Sequence, residues 1–460
     1  MVAQQFPAGL PQKKLSPSGG SELHAVSERE GDQFPAGPPQ GKLAPLGGRE
    51  LHAVSERGGH IRQAVIAGGG IGGLAAALAV SRAGWKVRLF ERAAAISEVG
   101  AGIQLGPNIV KVLRGWGLAA ELDAVAAFPE RLQVRSAASG QLLAELPLGS
   151  AMVQRYGAPY VTVHRADLQG LLLQAVQQHT DAKLQLERPL RSFRQNAQAV
   201  MVQADGGPEV ECDVLIGADG LWSSVRQQLL GDGLPQRTGH VAFRAMALQA
   251  MLPELLRSQQ ITVWLGPRMH VVQYPVRAGE WLNVVAIVEG EAIGEEDPWN
   301  HGVSASDLDE LAGVLVGGCT ELRDLLHALG GWQRWALHDR RPMQGMHQQA
   351  VGRVALLGDA AHPMLPYLAQ GAGMAIEDAA ELGQSLTQTL EPALDVPLLL
   401  QRYALNRWQR NAKVQARAAR NGQIFHANGL LRWGRDASLR LLGEKLLDLP
   451  WLYGGAPAAS

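Results

Sequence analysis

Gly68, Gly70 and Gly73, within the run Gly68-Gly69-Gly70-Ile71-Gly72-Gly73, have the G-x-G-x-x-G spacing that lets a backbone close round a pyrophosphate. Gly68 allows the tight turn, Gly70 lets the backbone approach a phosphate, and Gly73 permits close packing of helix on strand. Glu91, eighteen residues beyond Gly73, stands where a carboxylate accepts hydrogen bonds from ribose hydroxyls, with Arg92 beside it; an acid here disfavours a 2'-phosphate. With 54 glycines in 460 residues a bare match is expected about 0.7 times by chance, so the surrounding elements must decide. They point one way. Residues 64–67 (AVIA) read as a strand, residues 74–80 as an unbroken Ala/Leu helix, Gly84 as its stop, and residues 86–90 as a second strand ending in Glu91. This is a β-α-β unit built to hold a dinucleotide.

Two further acids end strand-like runs. Asp219 with Gly220 closes residues 210–220 (VECDVLIGADG), and Asp359 follows Gly358 after residues 353–358. An Asp-Gly pair is also an ordinary turn, and an Asp after a strand is also a cap. Gly371-Ala372-Gly373 forms a turn before a helix at residues 374–386, whose Glu377 and Asp378 are expected to complement the helix dipole as structural residues. Arg165 falls near the start of a helix running to Val176, where a phosphate contact and a surface ion pair both fit.

A net charge of -1 leaves no electrostatic footprint for nucleic acid or an anionic membrane, and no apolar run reaches spanning length. Two cysteines, Cys212 and Cys319, exclude a disulfide scaffold or a multi-cysteine metal site and suit a reducing compartment; no metal is expected. Without a secretory signal core, the cytoplasm is the expected location. Residues 5–30 recur as residues 33–58 with 20 of 26 positions identical. The composition of this duplication is rich in Pro, Gly and Ser, so residues 1–60 are expected to be a disordered extension. Residues 132–146 alternate like a hairpin about Ser139-Gly140, and residues 240–246, 261–265, 270–275 and 281–288 alternate like an antiparallel sheet with one face free to cover a pocket. Residues 305–330 and the Arg-rich stretch after Pro397 read as helical.

Taken jointly, the glycine fingerprint, Asp219-Gly220 and Gly358-Asp359 resemble the motifs of the single-component (class A) flavin-dependent aromatic hydroxylases. LLGDAAHPMLPYLAQGAGMAIEDA, GAGIQLGPN, HRADL and QYPVRAGEWLNVVA look like the salicylate and 3-hydroxybenzoate hydroxylase branch, and the resemblance spans roughly residues 62–450. It implies an α/β fold: a Rossmann-like FAD-binding domain of the glutathione-reductase type, an antiparallel-sheet substrate domain and C-terminal helices. The expected boundaries are 61–235 with 340–395 for the discontinuous FAD-binding domain, 236–339 for the substrate sheet and 396–460 for the helical region.

The resemblance implies FAD held without a covalent link and NADH or NADPH as a transient co-substrate, since the sequence offers no second β-α-β unit. By similarity Asp359 meets the ribityl or ribose hydroxyls, Asp219 and Gly220 lie between the FAD pyrophosphate and the nicotinamide nucleotide, and Arg165 lies beside the FAD phosphates. The Gly371-Ala372-Gly373 turn would support the anionic reduced ring at its N1 and C2 carbonyl. The implied reaction is hydroxylation of a phenolic aromatic acid by O2 through a flavin C4a-hydroperoxide, which attacks a phenolate faster than a phenol. His240 matches the region from which the hydroxybenzoate branch draws a histidine, so it is either the base or a structural residue, whereas His362 reads as structural. Phe243 stands where some relatives have Tyr. Gln273, Tyr274 and Tyr367 are substrate-pocket candidates or packing residues. A dehydrogenase or oxidase on the same scaffold, or a non-catalytic FAD-binding protein, are the alternatives; oligomeric state is not legible.

Overall fold

The computed structural model describes residues 62–96, 102–290, 301–302, 313, 317–387 and 395–455. The duplicated segment and much of the helical stretch expected at 305–330 lie outside the described residues.

The fingerprint strand Gln63–Ala67 sits between two parallel neighbours, Lys86–Phe90 and Val214–Gly217, in a six-stranded sheet. Val354–Leu356 extends it on one side and Lys183–Gln185 on the other, both parallel, and only the edge strand Ala350–Val351 runs antiparallel. Parallel strands need cover on both faces, which is why Ala64, Val65 and Ile66 are apolar without alternation and all buried. The helix Ile71–Arg82 supplies part of that cover and is apolar nearly all round because it is itself covered by the helix Gly371–Leu386. Small residues set their separation. A Cβ on Gly383 would stand 2.9 Å from the Ala79 Cβ, and one on Gly72 would stand 2.9 Å from Leu357 and 3.2 Å from the Ala375 Cβ.

The second large sheet has eight strands, with Gln236–Leu248, Trp281–Glu289, Met269–Val276 and Ile261–Gly266 as an antiparallel centre. The hairpin Arg131–Ser136 and Leu142–Pro147 joins this sheet, although it lies within the 61–235 segment assigned from sequence to the FAD-binding domain. It docks through a parallel pairing with Ile261–Gly266 that no local pattern could announce. One face of the sheet packs Val241, Phe243 and Ala245 against the helix Thr320–Ala328, and the other turns Ala242 and Ile287 toward Tyr367. The 30-residue helix Val396–Phe425 follows, and it brings C-terminal residues back against both sheets. Both cysteines are free, and no helix among the described residues is long and apolar enough to cross a membrane.

Candidate active site

The fingerprint glycines are sterically compelled. Gly68 has φ +104° and a Cβ there would stand 2.3 Å from the Ala218 carbonyl oxygen; at Gly73 a Cβ would meet the Gly68 carbonyl oxygen at 1.9 Å. Gly70 is the residue from which the helix Ile71–Arg82 starts. Glu91 reaches over the loop, its Oε2 accepting from the Gly69 N–H at 2.5 Å and its Oε1 from Ala93 N–H at 2.9 Å, while Arg92 is exposed. Gln169, a residue that motif reading missed, donates to the Gly69 carbonyl at 3.2 Å and ties the loop to the helix Arg165–His179.

Asp219 is spent locally: it accepts from the Ser223 hydroxyl and from the Ser224 and Val225 N–H groups, the latter two at 2.8 and 3.2 Å, at the start of the helix Ser224–Leu230. Gly220, at φ +78°, makes the turn before it. Asp359 differs. Its side chain is exposed, yet the protein round it raises its pKa by desolvation, against the opposing pull of Arg165 and His362. Arg165, the first residue of the helix Arg165–His179, is likewise desolvated, which lowers its pKa, with Asp359 opposing.

Gly371, Ala372 and Gly373 form the first turn of the helix Gly371–Leu386, one turn earlier than the sequence suggested. A Cβ on Gly371 would lie 3.9 Å from the Asp359 Oδ1, so the cleft acid borders the helix's positive end. Gln370, which starts this helix, is buried with its Oε1 unpartnered. Glu377 and Asp378 do not serve the dipole: no acid lies in the first turn, where that effect operates. They are the centre of a buried network instead. Arg407 donates to Glu377 at 2.9 Å and to Asp378 at 2.7 Å, Arg410 to Glu377 at 2.7 Å, and Asn411 to Asp378 at 2.9 Å. Burial pushes Asp378 up, but His362 and Arg407 outweigh it and hold the carboxyl well below the usual range. His362, 2.5 Å from Asp378, is part of this scaffold.

Beside the cleft, a cavity of about 320 Å³ is lined by His240, Glu289, Asp339, Tyr367, Gln423 and His426 among others. His240 Nδ1 contacts the Tyr367 hydroxyl directly, and His270 Nδ1 lies 2.9 Å from His426 Nε2 behind them. Burial lowers the His240 pKa, with Glu289 opposing, so its imidazole is neutral at neutral pH and can take a proton. Burial first, then Glu289 and Asp339, raise the Tyr367 hydroxyl.

The other pocket candidates separate by strand alternation. Tyr274 faces the same side as His270, but its hydroxyl donates to the Gly102 carbonyl at 2.6 Å. Gln273 points through the opposite face, accepting from Trp264 Nε1 at 3.0 Å, and so lies outside the His240 cavity. Phe243 also faces away, with Arg334 over its ring, so a tyrosine here would not meet the cavity. Glu289, His270 and His426 escaped motif reading because each comes from a different element. Alternation from His240 marked the strand face, but nothing local signalled the C-terminal helix.

The residues fit FAD: a glycine loop whose Cβ positions are filled by backbone, an exposed acid with an arginine acting on it, and an unpaired buried acceptor at a helix start. A family model described as FAD binding domain matches residues 62–418. The 3-hydroxybenzoate 6-hydroxylase of Polaromonas naphthalenivorans is 38% identical over 394 residues, covering 85% of this chain and 95% of that protein. The Klebsiella oxytoca 3-hydroxybenzoate 6-hydroxylase is 35% identical, covering 86% and 97%. Among solved structures, a salicylate hydroxylase substrate complex aligns with TM-score 0.72 and 27% identity over 86% of this chain and 96% of that one. Klebsiella pneumoniae HpxO, complexed with FAD and uric acid, aligns with TM-score 0.73 and 27% identity over 84% and 94%. The fold, the cleft and these relatives agree, and the chain belongs to the FAD binding domain family, within the flavin-dependent aromatic hydroxylase monooxygenases.

Proposed function

We propose that this enzyme hydroxylates a phenolic aromatic acid, of the salicylate or 3-hydroxybenzoate kind, using O2 and NADH or NADPH. The observation that carries the reading is the His240 imidazole held against the Tyr367 hydroxyl in a cavity, with Tyr367 four residues before the helix start at Gly371. FAD, when bound, supplies the redox chemistry that activates dioxygen with electrons from the nicotinamide.

The protein's own contributions are positional and electrostatic. Gly68, Gly70, Gly72 and Gly73 cradle the pyrophosphate, Glu91 and Asp359 offer acceptors to the cofactor's hydroxyls, and Arg165 balances phosphate charge. Asp219 and Gly220 act by shaping the loop between strand and helix, consistent with the capping bonds of Asp219. First-turn N–H groups at Gly371, Ala372 and Gly373 would hold negative charge on the ring system. His240 takes the phenol proton and so raises the ring's electron density. Tyr367 fixes the imidazole, and the packed rings of His270, Phe425 and His426 keep that side of the cavity closed to water. Gln273 is assigned a packing role, and Tyr274 supports the Gly102 strand.

The test is incubation of the purified yellow protein with hydroxybenzoates, NAD(P)H and 18O2, measuring peroxide alongside. One labelled oxygen in a dihydroxy product, with little peroxide, is expected. A dehydrogenase would turn over without incorporating label, an oxidase would yield peroxide only, and a binding protein would oxidise no nicotinamide.

A further inference from the structure

We propose that the cavity beside the cleft binds one divalent transition-metal ion, Zn2+ being the best fit, through His240, Glu289 and His426. Each of the three offers a ligand atom, and all three atoms lie within 4.8 Å of one another. Donors about 2.1 Å from a tetrahedral ion stand about 3.4 Å apart, so the observed set closes by small side-chain movements. The His426 Nδ1 to Glu289 oxygen distance is already 3.8 Å.

The preparation of His426 goes beyond proximity. Its Nδ1 is buried without a hydrogen-bond partner, while its Nε2 lies 2.9 Å from His270 Nδ1. With the Nε2–H donated to His270, the lone pair of Nδ1 faces the Glu289 carboxylate, the arrangement in which an outer residue fixes a metal ligand's tautomer. Glu289 is oriented in the same way, by Arg268 at 2.7 Å on its other oxygen. The Tyr367 contact fixes the His240 ring. Asp339 adds a carboxylate to the cavity wall, against which Arg435, paired with Asp436, is the cation acting on His426.

Two imidazoles and one carboxylate suit Zn2+ or its transition-metal neighbours and not Mg2+ or Ca2+, which prefer all-oxygen shells. An ion so placed would occupy the imidazole that takes the phenol proton, making the metal an inhibitor that competes with the phenolic substrate. The site itself stands on side-chain geometry and does not require that the hydroxylation reading be right.

The experiment is calorimetric titration of ZnCl2, and separately MgCl2, into the FAD-loaded full-length protein, with Glu289→Gln and His426→Gln variants in parallel. One Zn2+ per chain, no Mg2+ binding, and a weakening of about tenfold or more in each variant are expected. Where activity is present, Zn2+ should raise KM for the phenol and leave kcat unchanged. If His426→Gln fails to fold, the half-buried Glu289→Gln decides alone. No Zn2+ binding up to about millimolar concentration, or binding undiminished by loss of the Glu289 carboxylate, overturns the proposal.

Discussion

The cofactor cleft and the His240 cavity adjoin along the segment from Tyr367 to Gly373, yet they are built by opposite means. The cleft is made of backbone and small residues: Gly68 and Gly73 leave no room for a Cβ, and its few polar side chains, Glu91, Arg165 and Asp359, follow strand or helix ends at short range. The cavity is walled by polar rings from three segments, His240, Tyr367 and His426, with His270 of a fourth packed behind them, all held against one another. On the proposed reading, cofactor binding depends on exact backbone geometry, whereas substrate chemistry depends on side chains that can be exchanged within a fixed frame. Both lean on the same support. The helix that opens at the cleft with Gly371 is anchored two turns later by Glu377 and Asp378 to Arg407 and Arg410 of the C-terminal helix.

The largest effect should come from the backbone side. Gly73→Val would drive a side chain into the Gly68 carbonyl, and the purified protein should carry no flavin by absorbance; retention of stoichiometric FAD would refute the steric reading. Next, Asp378→Asn leaves Arg407 buried with one partner fewer and should cost about 3–5 kcal/mol in chemical denaturation. The sign with pH follows from its depressed pKa: the stabilisation is present above the ordinary carboxylate range and is lost as pH falls through the folded value. The variant's stability should accordingly fall less steeply than the parent's below about pH 4.

On the side-chain side, His240→Asn should lower kcat by about 10²–10⁴ while leaving flavin content unchanged, which would separate the two regions cleanly. A pH profile sharpens this. Because burial depresses His240 below its ordinary 6.5, the acid limb of kcat/KM should fall below that pH, with activity lost as His240 protonates; a limb at or above it would assign the base elsewhere. The smallest effect belongs to Gln273→Leu. It should cost about 1 kcal/mol through the unpaired Trp264 N–H and leave turnover alone, since Gln273 faces away from the cavity.

The same contrast governs what the sequence disclosed. The β-α-β unit, Glu91 and the two Asp-bearing strand ends were legible because turns, helix starts and strand alternation are local, and each glycine reports a local steric fact. His240 and Tyr367 were visible only as separate candidates, and their contact spans 127 residues. Gln273 and Tyr274 are adjacent, so alternation required that they face opposite ways; which way depended on the sheet's partners. Glu377 and Asp378 were misread as dipole complements because Arg407 and Arg410, which define their role, arrive from a helix some thirty residues on. The docking of the 131–147 hairpin on the large sheet was hidden for the same reason: the parallel pairing joins strands about 130 residues apart.

Activation of a phenol by the His240 imidazole, beside a cofactor held by backbone, can be read from substrate-stimulated NAD(P)H oxidation. The FAD-loaded parent and His240→Asn proteins would be compared across a panel of hydroxybenzoates, with product and peroxide both measured. One phenolic acid should accelerate oxidation in the parent with hydroxylated product and little peroxide, and product formation should collapse in the variant while flavin stays bound. Equal product formation in both proteins would contradict it.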